Sequence, residues 1–297
     1  SHSAPYPEPH VALIYGLNAV AHGGGSVTTC LDAGDHAVHG DTLKSVFSEL
    51  VKLRDHIGEE TVKYLGLHVS QQTRDFAPHY RHEPDLWWRQ LRGSHEMMSR
   101  SHVLTDYLFD RHLTDEKKLS QYSVLLLSNS ACLSSAEADA IRSFANNGGT
   151  VVATHQTSLC DELGQEQDDF QLADLFGVSY KSDSTTTSEI DDSTKSSQMK
   201  LYGRTSRTDQ SNIYVPQSDE TRERFGKVIC FGGPNSVVEL TPGSSAKVLC
   251  TKSSLSWEGG PPLGDFYEGM EYDSGEPAVT VNNYGKGKAI YICGDVG

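Results

Sequence analysis

A glycine-rich turn is the first stretch whose residue types suit the binding of a ligand. His22, Gly23, Gly24 and Gly25 follow an apolar run, VALIYGLNAV, which predicts a strand over residues 11–20. A turn of this kind presents backbone N–H groups to a phosphate or an oxyanion. In hydrolases it accompanies a G-x-S-x-G sequence around a nucleophilic serine, and this chain contains no such sequence. The turn therefore indicates either a loop that lines a ligand or a place where two backbones pass closely.

Two adjacent tryptophans, Trp87 and Trp88, are the second candidate for ligand contact. They lie beside Arg89 and Arg92 at the start of a helix that is predicted over residues 85–101. Paired tryptophans stack on sugar rings or anchor subunit interfaces, whereas an ordinary helix start packs such residues into the core. No catalytic pair is predicted among the acidic residues. A retaining glycosidase requires two carboxyl groups roughly 5 Å apart, and sequence spacing identifies no two that would lie so close.

The chain carries no nucleophile in the bend after its most clearly predicted strand. A nucleophile needs a sharp turn directly after a strand, because that turn exposes its side chain and donates an oxyanion N–H group. The strand predicted over residues 150–153 is followed by Thr154, His155 and Gln156. These residues supply an imidazole and an amide but no thiol or activated hydroxyl. No catalytic residue is assigned.

The cysteines and histidines do not have the spacing of a metal site. The six cysteines form no C-x-x-C pair and the thirteen histidines form no H-E-x-x-H sequence, so neither a metal nor a cofactor is predicted. Cys230, Cys250 and Cys293 end strand-like runs and are expected to be buried free thiols. One disulfide is the alternative, and a reactive thiol at Cys132 or Cys160 is a third interpretation.

A strand–helix–strand unit organises the rest of the chain. Val124–Leu127 is an unbroken apolar run, which is typical of a strand buried on both faces. Ser134 predicts a helix N-cap, and Glu137 three positions later completes a capping box. Gly148 and Gly149 end the helix before a second buried strand. Strand, helix and strand over so short a distance imply a right-handed parallel crossover.

Further apolar patterns extend this unit into a doubly wound sheet. Strands and helices alternate, with strands predicted over 62–69 and 103–109 and helices over 41–56, 85–101 and 170–176. The last third is rich in strands, and NYGKGK predicts a hairpin turn between the final two. Residues 179–198 are polar and predict a surface excursion or an edge hairpin. The fold class predicted is α/β, a flavodoxin-like sheet with an antiparallel extension and an N-terminal β/α module.

The composition argues against several classes of partner. A net charge of −15 disfavours nucleic acid and anionic membranes, since both are polyanions, and it is more compatible with a neutral or cationic ligand such as a sugar. Solubility alone is the other interpretation of this charge. No apolar run approaches the roughly 18 residues of a membrane span, and the polar start SHSAPYPEPH contains no signal peptide. The compartment stays open between cytoplasmic and secreted, because a cleaved leader leaves no trace in this chain.

Several short segments resemble, in their order and spacing, segments of one known family. They are LHVSQQTRDF, LRGSHEMM, VLLLSNSACLSSAEADAIRSFANNGGTVVAT, DDFQLADLFGVS and PAVTVNNYGKGKAIYICGD. Over residues 62–180 and the final hairpin, the chain resembles the trimerisation domain of family 42 β-galactosidases and related glycoside hydrolases. The resemblance implies a class I glutamine-amidotransferase-like fold without a catalytic nucleophile. In that family the domain lies beside a (β/α)₈ barrel that carries the catalytic glutamates, and it helps to assemble trimers.

The resemblance also implies a role for the N-terminal residues. Residues 10–57 would be the last β/α module of such a barrel, with the glycine-rich turn and Asp32 or Asp35 facing the sugar site. One module cannot close a barrel, and no catalytic glutamate of the family can be carried onto this chain. A fragment of a longer enzyme is therefore expected, with domains at residues 1–58 and 59–297.

Three functions follow as hypotheses. The favoured one is a C-terminal, non-catalytic, assembly-supporting region of a β-galactosidase-like glycoside hydrolase, inactive alone and forming a homo-oligomer such as a trimer. A free-standing carbohydrate-binding or scaffold module is the alternative, and an amidotransferase-like hydrolase is the third. The residues predicted to contact carbohydrate are His22, Gly23, Gly24, Asp32, Asp35, Trp87 and Trp88.

Overall fold

The structure is a computed structural model that describes most of the chain between residues 60 and 294. The described residues are 14, 16–20, 44–45, 47–56, 60–78, 80, 84–183, 210–225, 229–232, 236–253, 257–258 and 273–294. Contacts between Cα atoms divide the chain into two compact units, Ser1–Val62 and Lys63–Gly297. Within the described residues, no helix combines the length and the apolar character that a membrane crossing requires.

In the N-terminal unit, the described residues are helical where the sequence predicts a strand. Ile14 and residues 16–20 are helical, so the strand predicted for this apolar run is wrong at its described positions. A short apolar run does not distinguish strand from helix by its periodicity, and the leucine and alanine within it favour a helix. The helix predicted over residues 41–56 is confirmed at 44–45 and 47–52. The barrel-module interpretation places a strand on this apolar run, and the described residues of the run do not form one.

Five parallel strands form one half of a ten-stranded sheet in the described part of the chain. They are β1 (Leu65–Val69), β2 (Thr105–Phe109), β3 (Val124–Leu127), β4 (Thr150–Thr154) and β12 (Gly287–Ile292). Their spatial order is β2-β1-β3-β4-β12, and every neighbouring pair is parallel. The direction of winding reverses between β1 and β3. In open α/β sheets, ligands bind at the carboxyl ends of the strands that flank such a point.

The other half of the sheet is antiparallel and continues from β12. Its strands are β6 (Gln210–Pro216), β7 (Ile229–Gly232), β9 (Lys247–Ser253), β10 (Trp257–Glu258) and β11 (Asp273–Tyr284). The predicted hairpin is present between β11 and β12, with Gly285 at φ +57° in its turn. A separate two-stranded sheet pairs β5 (Val178–Asp183) with β8 (Ser236–Leu240). The predicted α/β class is confirmed, with antiparallel strands beside the parallel ones.

Helices connect the strands of the second unit. They are α1 (Gln71–Phe76), α2 (Pro84–Arg100), α3 (Asp110–Leu113), α4 (Glu116–Leu119), α5 (Ser135–Asn146), α6 (Ala173–Phe176) and α7 (Asp219–Phe225). Helix α1 lies between the strand predicted over 62–69 and the helix predicted over 85–101, in a polar stretch that the sequence patterns indicate to be a loop. Ser70 caps it by accepting a hydrogen bond from Thr73 N at 3.1 Å. So short and polar a helix carries no apolar periodicity that would reveal it in the sequence.

Helix α5 has the predicted capping box. Ser134 Oγ accepts a hydrogen bond from Glu137 N at 3.3 Å, and Glu137 Oε2 accepts one from Ser134 N at 2.7 Å. Gly149 follows the helix so closely that a Cβ atom there would lie 2.3 Å from the ring of Phe144. Any side chain at this position would therefore force the ring of Phe144 to move.

Two hydrophobic clusters surround the carboxyl end of the parallel strands. The larger one joins α5 to both halves of the sheet and includes Leu125, Leu127, Ile141, Tyr214 and Tyr291. The smaller one joins the end of β1 and the start of α2 to the loops after β3 and β4. Its members are Val69, Ala77, Tyr80, Trp87, Ala131, Cys132 and Cys160. The loops at this edge of the sheet are thus held by packing as well as by hydrogen bonds.

Candidate functional site

A cluster of polar side chains lies at the carboxyl ends of the central parallel strands. Strand β1 supplies His68, the turn after β3 supplies Asn129 and Ser130, and the bend after β4 supplies His155. Asp110 joins them as the first residue of α3, directly after β2. We name these five residues the carboxyl-edge cluster. They occupy the edge of the sheet at which the strand order places a ligand crevice.

Within this cluster, His68 connects a serine to a carboxylate. Its Nδ1 lies 2.8 Å from Ser130 Oγ, and its Nε2 lies 3.1 Å from Asp110 Oδ1. Burial alone would raise the pKa of Asp110, but hydrogen bonds from His68 and from the backbone of Gln72 and Gln71 lower it below its ordinary value. Asp110 is therefore a carboxylate at neutral pH and accepts from a protonated Nε2. The other nitrogen, Nδ1, contacts the hydroxyl of Ser130, a group that can donate or accept.

This series of groups has the order found in Ser-His-Asp hydrolases, but its placement argues against that chemistry. The exposed fraction is 0% for Ser130 and 1% for His68, so no substrate carbonyl can reach the serine oxygen. The second oxygen of Asp110, Oδ2, accepts hydrogen bonds from Gln71 N at 3.0 Å and Gln72 N at 3.3 Å. The hydrogen-bonded series thus fixes the start of α1 against the end of β1.

Asn129 ties the turn after β3 to two neighbouring segments. Its φ of +45° lies in the left-handed region, which asparagine tolerates better than most residues. The side-chain Nδ2 donates to Tyr80 Oη at 2.6 Å, and the backbone N donates to Thr154 Oγ1 at 2.9 Å. The side-chain Oδ1 accepts from Gln156 N at 3.1 Å. Asn129 therefore positions the turns after β3 and β4 relative to each other.

His155 occupies the sharp bend directly after β4. Its φ is +48°, in the left-handed region, and the residue is 4% exposed. Its Nδ1 lies 2.9 Å from Ser236 Oγ, and its backbone oxygen accepts a hydrogen bond from Tyr291 Oη at 2.6 Å. Burial lowers the pKa of His155 to about 4. The bend carries a neutral, enclosed imidazole at the position from which a nucleophile would have to project.

Cys132 and Cys160 lie side by side after β3 and β4. They pair as an isolated parallel bridge, in which Cys160 N donates to Ala131 O at 2.9 Å and Leu133 N donates to Cys160 O at 3.2 Å. The hydrogen bond between the two thiols raises the pKa of Cys132 and lowers that of Cys160. No hydrogen bond found among the described residues joins either thiol to a histidine. A hydrolase mechanism through either thiol would therefore lack its base.

The two carboxylates beside the cluster accept hydrogen bonds that stabilise the fold. Glu137 is 4% exposed, caps α5 and accepts a hydrogen bond from Gln72 Nε2 at 3.1 Å. Asp106 accepts from Lys63 Nζ at 2.8 Å and from Tyr122 Oη at 3.0 Å. Neither carboxylate has the exposure and pairing that the acid and nucleophile of a glycosidase need. Across the described residues, no three histidine, cysteine, aspartate or glutamate side chains are grouped to hold a metal ion.

The residues predicted to bind carbohydrate fall into two groups. Five lie outside the described residues: His22, Gly23, Gly24, Asp32 and Asp35. Trp87 and Trp88 lie on α2 with their rings edge to face and their centroids 4.7 Å apart. Trp87 is buried beside Tyr80, and the guanidinium of Arg74 lies 5.8 Å from its ring centroid, whereas Trp88 is 57% exposed. Contact with a sugar stays a prediction for both groups.

Of the carboxyl-edge cluster, sequence reasoning considered only His155 and missed the other four residues, although two signals pointed to them. His68 is a polar residue in an otherwise apolar strand, LGLHV. Asp110 follows β2 directly, and Ser130 follows β3 after two residues. Polar residues at the carboxyl ends of neighbouring parallel strands meet at one edge of the sheet, so the order of the strands would have been enough to combine them.

The fold is shared with part of several glycoside hydrolases of known structure. A catalytic mutant of Gan42B, a GH42 β-galactosidase from G. stearothermophilus, matches with a TM-score of 0.64 and 19% identity, over 97% of this chain and 38% of that one. The β-galactosidase from Bacillus circulans sp. alkalophilus gives a TM-score of 0.66 and 16% identity, over 99% and 41%. The α-L-fucosidase isoenzyme 2 from Paenibacillus thiaminolyticus gives 0.57 and 14%, over 98% and 38%.

These matches concern only a portion of each enzyme, since this chain spans 38–41% of their lengths. No protein-family model matches the chain, and no curated protein matches it. At such low identity the likeness establishes the fold. The resemblance found in the short sequence segments is confirmed at that level: this chain has the α/β fold of one portion of GH42 β-galactosidases.

Proposed function

We propose that this chain is the non-catalytic, assembly-supporting part of a glycoside hydrolase of the β-galactosidase type. One observation carries the proposal: the bend after β4 holds a buried and neutral His155 where a nucleophile would have to stand. The parent enzyme would carry its catalytic carboxylates in a portion to which this chain does not correspond, because the chain spans only about two fifths of the GH42 structures (38–41%). Its substrate would be a carbohydrate, recognised mainly by that other portion.

The finer fold assignment within this proposal is flavodoxin-like and, more specifically, similar to class I glutamine amidotransferases. The order β2-β1-β3-β4-β12 corresponds to the order 2-1-3-4-5 of doubly wound flavodoxin-like sheets. The left-handed φ of His155, +48°, is the kind of backbone strain at which strand-to-helix elbows expose a nucleophile. The bend after β4 has this strained backbone but carries no nucleophilic side chain. This supports a structural role for the chain, since a fold by itself does not imply an activity.

The assembly role is supported by apolar side chains at one edge of the sheet. Strand β2 ends the strand order, and no strand among the described residues pairs with its outer side. Leu104, Tyr107 and Phe109 on or beside this strand are 56%, 46% and 39% exposed. An edge strand that bears large apolar side chains is suited to contact with another polypeptide. We assign this edge to the contact between copies of the chain in a homo-oligomer, with a trimer as the expected form.

An activity assay tests the non-catalytic half of the proposal. The chain is expected to release no aryl group from aryl β-galactosides above the buffer blank, while a full-length GH42 β-galactosidase assayed beside it does. Turnover by this chain at an enzymatic rate would overturn the proposal. The assay uses the chain as it is, so it does not depend on any variant.

Light scattering over a range of concentrations tests the assembly half. A mass that is a multiple of 32.5 kDa is expected. Tyr107→Lys places a charge on the β2 edge and should lower that mass. Leu163→Lys is the matched control, because Leu163 is 65% exposed in a loop away from that strand, and it should change nothing. A monomer at every concentration, or equal effects of the two variants, would contradict the assembly role.

Carbohydrate binding is the second candidate function, and the exposure of Trp88 favours it. More than half of this residue is open to solvent, 57%, and its ring contacts that of Trp87 in an edge-to-face arrangement. Such a platform suits stacking against the apolar face of a sugar ring. Calorimetry with galactose and lactose should show heat that Trp88→Ala removes and Leu163→Ala preserves. Absence of heat with both sugars would reject this candidate.

A further inference from the structure

Two buried cysteines meet across the loops that follow β3 and β4, and the proposed function makes no use of them. Cys132 and Cys160 form an isolated parallel bridge, and both are free thiols. Backbones paired in this way lie about 4.8 Å apart. A disulfide needs Cα atoms about 4.4–6.8 Å apart. The hydrogen-bonded backbone therefore already holds these two residues at the spacing of a disulfide.

We propose that Cys132 and Cys160 are a redox-modification site that forms a disulfide by exchange with a small disulfide of the oxidised-glutathione class. The site is independent of the proposed function, because it rests on the pairing of two loops and on no carbohydrate chemistry. It also gives a role to the two thiols that an amidotransferase-like mechanism would have needed. The two cysteines are directly paired across the loops, and this favours a bond between them over attack on a substrate.

Cys160 is the thiol that reacts first. Both residues are buried, with Cys160 3% exposed and Cys132 0% exposed, so a reagent reaches Cys160 first, when the loop after β4 opens locally. The hydrogen bond from Cys132 lowers the pKa of Cys160, which increases the fraction of thiolate at neutral pH. The Cys160 thiolate attacks one sulfur of the small disulfide. The S–S bond of the reagent breaks, a mixed disulfide forms on Cys160, and one small thiolate leaves.

Cys132 completes the exchange. Its proton passes to the departed small thiolate, and its Sγ attacks Cys160 Sγ in the mixed disulfide. The bond between Cys160 and the small molecule breaks, and a second small thiolate leaves and takes a proton from water. The protein has then lost two protons and two electrons, and the reagent has gained them and become two thiols. Reversal requires only an excess of small thiol.

Cys250 and Cys293 provide an internal contrast in the same fold. Burial raises the pKa of each thiol to about 11, so both stay protonated at neutral pH. They cannot bridge, because β11 lies between their strands: Val279 of β11 pairs with Cys250 on one side and with Ile292 on the other. Two strand spacings amount to about 9.6 Å, beyond the reach of a disulfide.

The bond would link the loop after β3 to the loop after β4 and close the chain around α5. Cys132 N also donates to Thr73 Oγ1 at 3.0 Å, so the linked loops stay attached to α1. Closing this loop removes freedom from the unfolded chain. The oxidised protein should therefore unfold at a higher temperature than the reduced one, by about 8 °C for a unit of this size.

The test compares a native and a refolded sample. The native protein is reduced, freed of reductant and incubated with oxidised glutathione. A second sample is reduced, unfolded in urea and refolded in glutathione buffer, so that burial cannot prevent the reaction. Both are alkylated, digested and analysed by mass spectrometry. We expect a cross-linked Cys132–Cys160 peptide pair in both samples, alkylated Cys250 and Cys293, and the higher unfolding temperature after oxidation.

Variants separate the two steps, with circular dichroism to confirm that each one folds. Cys132→Ser should retain a stable glutathione adduct on Cys160, because the second attack is lost. Cys160→Ser should leave Cys132 unmodified in the native sample, and Cys250→Ser should still form the cross-link. The proposal is overturned if neither sample contains the cross-link, if a glutathione adduct persists on Cys160 of the unaltered protein, or if Cys250 reacts as readily as Cys160.

Discussion

His155 and Ser236 close the bend after β4, with Nδ1 of the histidine 2.9 Å from Oγ of the serine. The serine begins β8, and its backbone N donates to Cys293 O at 2.8 Å. The contact therefore joins the two-stranded sheet to the ends of β4 and β12. Because both side chains are buried, removing either one takes a hydrogen-bond partner from the other at a site that water does not reach. His155, in the bend after β4, therefore stabilises the fold, and this is the physical basis for the proposed structural role.

Acid should destabilise the protein through His155. The pKa of this residue is about 4 in the folded protein against an ordinary value of 6.5, so the unfolded chain binds a proton at a higher pH than the folded chain does. The stability contributed by the neutral imidazole is complete above pH 6.5 and is lost as the pH falls towards 4, by up to about 3 kcal/mol. Urea unfolding at about pH 7 and about pH 4.5 measures this loss.

The variant His155→Gln isolates the contribution of this one group. Glutamine keeps a hydrogen-bonding side chain at the bend but does not titrate, so the loss of stability between the two pH values should be smaller in the variant. All other titrating groups are common to the two proteins and cancel in the comparison. Equal losses in the variant and the unaltered protein would refute the assignment.

Asp110→Asn should loosen the start of α1. The carboxylate accepts hydrogen bonds from the backbone N–H groups of Gln71 and Gln72, and these charge-assisted bonds weaken when the charge is removed, at a cost of about 1–3 kcal/mol. Hydrogen exchange at the two amides and urea unfolding both report the change. Asp75→Asn is the matched control, since its ion pair with Arg74 lies on the surface and should contribute less than about 1 kcal/mol. Unaltered exchange at the two amides would contradict the role given to Asp110.

Ser130 should be unreactive despite its histidine and aspartate partners. A fluorophosphonate probe labels activated serines that a reagent can reach, and Ser130 is fully buried. Ser130→Ala should cost about 1 kcal/mol of stability, because Nδ1 of His68 loses its hydrogen-bond partner. Labelling of the native chain, with mass spectrometry placing the probe on Ser130, would show that the hydrogen-bonded series is a working triad.

Local signals in the sequence explain which elements could be predicted. Val124–Leu127 and the capping box of α5 are encoded by neighbouring residues, and they were predicted with nearly their observed bounds. The carboxyl-edge cluster depends on strand pairing instead: the partners of His68 lie 42 and 62 positions away, at Asp110 and Ser130. Periodicity holds no information on which strands become neighbours. The N-terminal apolar run was assigned the wrong state because so short a run has no decisive period.

The adjacent tryptophans give a matched pair in which burial alone predicts different outcomes. Trp87 is 6% exposed within the smaller hydrophobic cluster, so Trp87→Ala should leave a cavity and cost about 3–5 kcal/mol in the free energy of unfolding. Trp88 is 57% exposed, so Trp88→Ala should cost about 1 kcal/mol or less. Urea unfolding of both variants under one buffer condition measures the difference. Equal costs would show that Trp88 is covered in solution, as expected if this face of α2 lies in a subunit contact, and would leave no open ring for a sugar.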